Sequence, residues 1–66
     1  MISYQPLYHT LINKNMKLDQ LRKDGIISSI TIAKFKKNES ITLTTVDKIC
    51  QYLKCNIEDI VEIRLE

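Results

Sequence analysis

The sequence predicts a compact, all-α bundle of five helices with a short strand-like stretch at each end. Three observations carry this. One Gly and one Pro in 66 residues leave room only for short, few loops. Apolar residues recur at helical spacing through most of the chain, above all Leu43, Val46, Ile49, Cys50 and Leu53. The candidate helix ends carry suitable capping residues: Ser28 and Ser29, Thr42, Asn56 and Gly25. With 44% hydrophobic and 27% charged residues the chain has the composition of a globular protein, which excludes a disordered one. At this size a chain buries only about 60% of its unfolded surface, so one domain spanning residues 1–66 is expected and its core is small.

The elements follow in order. Ile2-Ser3-Tyr4-Gln5 alternates apolar and polar, which is strand periodicity. Pro6 ends it and suits the first turn of a helix. Leu7, Leu11 and Ile12, with Tyr8 beside them, place the first helix at about 6–14, and Asn15 suits its end. Leu18 and Leu21 line a second helix at about 18–24. Gly25 stands where a helix C-cap calls for a left-handed residue. At least one of Ile26 and Ile27 should then enter the core. Ser28 or Ser29 caps a third helix at about 29–37. With ~100° of rotation per residue, Ile32 and Phe35 share one side of it and Ile30, Lys34 and Lys37 the other. Ser29 and the small Ala33 adjoin that outer set.

Asn38-Glu39-Ser40-Ile41 is a connector, and Thr42 opens the fourth helix, whose polar side carries Asp47, Lys48, Gln51 and Lys54. Asn56 caps a short fifth helix with Ile57, Ile60 and Val61 as its core residues. Val61-Glu62-Ile63-Arg64-Leu65-Glu66 alternates apolar and charged, the pattern of a half-buried strand. Its natural partner is the other terminus, within one chain or across a dimer; a frayed end is the alternative.

Charge is unevenly placed. Residues 28–38 hold Lys34, Lys36 and Lys37 and no acid, whereas residues 56–66 hold Glu58, Asp59, Glu62 and Glu66 against Arg64. A basic helix face calls for a polyanion. Cys50 and Cys55 are too few for a disulfide-stapled secreted domain, and the start MISYQPLYHT lacks a basic segment followed by an apolar run. No apolar stretch approaches the ~20 residues of a membrane span, so a cytoplasmic protein is expected. His9, Cys50 and Cys55 lack metal-ligand spacing, and Asp47, Glu58 and Asp59 read as helix-start charges and not as an acid–base pair. No metal, cofactor or catalysis is expected.

Residues 18–38 followed by LTTVDKICQYLKCNIEDIVEI resemble the small stand-alone helix-turn-helix regulators of the Cro/XRE type. The resemblance rests on Ser28-Ser29, Thr31-Ile32-Ala33-Lys34, Lys37-Asn38-Glu39, Leu43, Ile49-Cys50, Leu53, Cys55 and Asp59-Ile60-Val61, and covers roughly residues 4–63. It implies a Cro/repressor-like helix-turn-helix at about 18–37 and a transcriptional regulator, a repressor, working as a homodimer on double-stranded DNA. The third helix would lie in the major groove. Ser29, Ile30 and Lys34 fall at base-contacting positions, with Ser28 and Thr31 near enough to help. Lys37 falls where the backbone is gripped, and Lys36 and Asn38 complete the set expected to touch DNA. Two departures stand out: Ile26 occupies the usual glycine slot of the turn, the glycine having moved to Gly25, and Ile30 stands where a polar residue is common. Exposed Ile30 and the acidic tail are what favour the alternative, a protein-interaction module of antitoxin or anti-repressor kind that does not bind DNA.

Overall fold

The computed structural model describes residues 1–66. Strand β1 (Ile2–Ser3) leads into α1 (Gln5–Asn13), α2 (Leu18–Lys23), α3 (Ser29–Lys36) and α4 (Leu43–Leu53). A single 3₁₀ turn, Ile57–Asp59, and strand β2 (Glu62–Ile63) close the chain. There are thus four α-helices and not five. The expected fifth helix is only this turn, held by a capping box in which Asn56 and Asp59 serve each other's backbone N–H groups. Three residues cannot repay the cost of helix nucleation. Ile60 is nevertheless fully buried, as the pattern required, while Ile57 remains exposed.

The core is built from Tyr4, Leu7, Leu11, Leu21, Ile27, Phe35, Ile49, Leu53 and Ile60, drawn from every helix. Tyr4 and Phe35 meet edge to face with ring centroids 4.8 Å apart. The Tyr4 hydroxyl donates to the carbonyl of Glu39 at 2.5 Å, so the first residues of the chain fix the connector that follows α3.

All four helices end alike. A residue at positive φ follows each: Asn15 (57°), Gly25 (75°), Asn38 (55°) and Lys54 (57°). The next residue's N–H then returns five positions back, as in Met16 to Leu11, Ile26 to Leu21, Glu39 to Lys34 and Cys55 to Cys50. This is the Schellman closure. It explains the displaced glycine: Gly25 takes the left-handed position, and Ile26 follows it to pack, half-buried, against the core. A Cβ on Gly25 would meet nothing within 4 Å. Gly25→Ala should therefore cost only the left-handed backbone term, about 1–2 kcal/mol in urea denaturation. A cost near zero would show that the turn relaxes into another conformation.

The termini pair with each other within the chain. β1 and β2 are antiparallel, with Ile2 opposite Ile63 and Ser3 opposite Glu62. The expectation of a half-buried C-terminal strand is only partly met, since Ile63 is 65% and Leu65 94% exposed. A two-stranded ribbon covers nothing on its outer face. Ile12 and Leu43, assigned to the core by spacing, are also exposed at 74% each. Leu43 is the first residue of α4, about 90° around the helix from the centre of the buried positions. No helix is long and apolar enough to cross a membrane.

Candidate nucleic-acid interface

The face of interest is the outer side of α3. The helix starts where it does because the Ser28 hydroxyl accepts the Thr31 backbone N–H at 3.2 Å, which satisfies one of the orphan donors of the first turn. The same hydroxyl lies 3.2 Å from that of Thr31. Capping occupies Ser28 and holds Thr31 half-buried beside it, so Ser29 is the serine left unengaged. Phe35 is buried and Ile32 half-buried on the inner side, which turns Ser29, Ile30, Ala33 and Lys37 to solvent. Ile30 is 70% exposed. Lys34 is half-buried at the border of that face. Lys36 is exposed on the flank, about 100° from Lys37. Asn38 is exposed too, with a structural task of its own as the left-handed residue that ends the helix.

Electrostatics separate α3 from α2. On α2 the Asp19 carboxylate takes up Arg22 at 2.8 Å and Lys23 at 3.6 Å, and the hydrogen bond from Arg22 holds Asp19 below the usual carboxylate range. None of Lys34, Lys36 and Lys37 has an acidic partner within salt-bridge distance. The cations of α3 are therefore free to meet an external anion.

The turn between the two helices is tied from behind. The Tyr52 hydroxyl on α4 donates to the Asp24 carboxylate just ahead of Gly25, and that bond raises the Tyr52 phenol above its ordinary value. Nothing in the sequence signalled this contact between residues far apart in the chain. Next to it lies an open surface cavity of about 420 Å³ lined by Gly25, Ile26, Asp47, Lys48, Gln51 and Tyr52. Cys50 and Cys55 are free, half-buried thiols brought together by the closure of α4. Burial raises both, Cys55 to about 11, so each stays protonated and unreactive near neutral pH. No three metal-ligating side chains converge anywhere.

A basic, partnerless helix held at its back by a second helix and a tight turn is the arrangement of a helix-turn-helix. A family model, the Cro/C1-type HTH DNA-binding domain, matches residues 7–66. The chain belongs to that family. Its fold is also that of a crystal structure of the transcriptional regulator VanUg (Form II), with a TM-score of 0.90 and 42% sequence identity over 98% of this chain and 87% of that one. No curated protein matches the chain. The protein is accordingly a DNA-binding transcriptional regulator, mostly helical with a short two-stranded sheet.

Proposed function

We propose that the protein is a sequence-specific repressor that binds a two-fold symmetric operator as a homodimer, with α3 of each copy in the major groove. The outer face of α3 carries this reading: it offers hydroxyl, methyl and ammonium groups together, with its cations unpaired. Ser29, Ile30 and Lys34 face base edges. Lys34 suits a guanine edge, and Ile30 suits a thymine methyl, having no donor with which to read a purine. Ala33 is small enough to let the helix approach closely. Lys36 and Lys37 take phosphates. Ser28 and Thr31 act mainly by fixing the first turn of the helix, and Asn38 by ending it.

One eight-residue helix makes too few contacts for operator-level specificity, so two copies related by a dyad read two half-sites about 34–36 Å apart. Repression follows from occupying a promoter, with the chain contributing binding and no chemistry.

Titration of a labelled random duplex at low salt, followed by fluorescence anisotropy, tests DNA binding directly. Lys37→Ala should weaken binding to every sequence alike and reduce the slope of log K against log salt by about 0.9, the release of one phosphate's counterion. An unchanged slope removes Lys37 from the phosphate contacts. No binding at all at low salt would favour the protein-interaction reading, which the exposed Ile30 and the acidic tail support.

A further inference from the structure

Cys50 and Cys55 take no part in the outer face of α3, and the way α4 ends brings them together. Had the helix run on, residues five apart would lie about 140° apart around its axis, on different sides. Instead Lys54 takes the left-handed conformation (φ 57°, ψ 52°) and turns the chain back, so that the Cys55 N–H reaches the Cys50 carbonyl at 3.1 Å. In a Schellman closure the side chains of the two residues joined by this bond commonly pack against each other, and both are usually apolar. Here both are thiols. Burial is the largest influence on each, and each thiol then acts on the other, with Cys55 as hydrogen-bond donor and the Cys50 sulfur as acceptor. Both thiols are free and half-buried. Both line one surface cavity of about 310 Å³, together with Gln51, Lys54, Asn56 and Asp59.

We propose that the Cys50–Cys55 pair is a binding site for trivalent arsenic, held by one bond to each sulfur. The site stands apart from the repressor reading and does not depend on it. The state of the thiols selects the ligand. Zinc needs about four ligands, and no third ligating side chain joins the pair. A soft cation would have to displace two protons from thiols that burial keeps protonated. A trivalent arsenic hydroxide makes no such demand, because the thiol protons leave with its own hydroxyls as water. Two As–O and two S–H bonds break, and two As–S and two O–H bonds form. The arsenic stays trivalent and nothing is oxidised. Neutral reactants give a neutral product, so no charge is placed in a half-buried site. Trivalent arsenic is pyramidal and holds two sulfur ligands side by side, as the closure of α4 presents them. Its third substituent has the cavity to occupy. The closure also removes in advance the freedom that two loosely tethered thiols would lose on chelation.

Phenylarsine oxide is the probe, since it condenses with two thiols in the same way and carries a phenyl group at the third position. Intact-protein mass spectrometry should show the wild type with one phenylarsenic group in place of two thiol hydrogens. A thiol reagent added afterwards under denaturing conditions should then find no free thiol. Affinity is read by competition with dithiothreitol. Cys50→Ala and Cys55→Ala each leave a single As–S bond, and each should bind about 10²–10⁴-fold more weakly, the gain from an intramolecular second attachment. Circular dichroism verifies that each variant is folded. The wild type in denaturing urea supplies a comparison that needs no variant: it keeps both thiols but loses the closure, and should bind at least about tenfold more weakly than the folded chain. No uptake by the folded wild type overturns the proposal. So does an alanine variant that binds as tightly as the wild type, because the thiols then do not act as a pair. Equal affinity in the folded and denatured chains overturns it too, because the fold then builds no site.

Discussion

Phe35→Ala should strip away a third or more of the protein's stability. The ring is 1% exposed and lies edge-on to Tyr4, on the inner side of α3. Truncating a buried Phe costs about 3–5 kcal/mol, part lost transfer energy and part unfilled cavity. Stabilities of about 0.05–0.15 kcal/mol per residue give a chain of this length roughly 3–10 kcal/mol in all. The substitution therefore removes a third to all of it, and at about 4–8 °C per kcal/mol the melting midpoint should fall by more than about 12 °C. Binding to random duplex should fall in proportion to the unfolded fraction. Phe35→Leu keeps most of the volume and should cost less than about 1.5 kcal/mol. Urea denaturation of both variants checks the account. A loss below about 1 kcal/mol for Phe35→Ala would mean that Tyr4 and α3 are not held by this contact.

The same residue shows how much of the fold the sequence discloses. Phe35 and Ile32 were assigned to the inner side of their helix by spacing alone, and the structure buries the first and half-buries the second. Spacing works there because neighbours exist to cover that side. It fails for Ile12 and Leu43 because an apolar residue at a helix end can satisfy the period and still have nothing packed over it. It fails again for Ile63 and Leu65, where alternation announces a strand but says nothing of whether a second layer covers it. Helix ends divide in the same way. Gly25 signals a left-handed position because glycine adopts it without penalty. Asn38 and Lys54 take the same conformation in a chain with no other glycine, and a lysine at such a position gives no warning. Asn38, expected among the DNA contacts, also has the structural task of ending α3. The exposure of Ser29, Ile30 and Lys37 on the outer side of α3 was legible because Ile32 and Phe35 fix the side opposite. The tie from Tyr52 to Asp24 was not, since it joins two residues that only the fold brings together.

Lys34→Ala should change which DNA the protein prefers, and not merely how tightly it binds. If the ammonium donates to a base edge, its loss costs about 1–3 kcal/mol on the preferred site, roughly a five- to 150-fold loss of affinity, and relaxes preference at one defined position of each half-site. Binding to random duplex should fall far less. Lys34 is half-buried, so its stem also packs, and truncation alone would mix a stability effect into the result. Lys34→Met retains the stem and removes only the charge. It should reproduce the specificity change with an unaltered unfolding midpoint. Ser29→Ala is expected to act in the same direction at a neighbouring position. Ser28→Ala supplies the contrast, because that hydroxyl caps α3: it should cost about 1 kcal/mol of stability and leave base preference where it was. Binding-site selection from a random DNA pool with the wild type and these variants reads all of this at once. If Lys34→Met selects the same sequences as the wild type, and loses equally on selected and random DNA, then Lys34 grips phosphate and the reading of bases must lie with Ser29 and Ile30 alone.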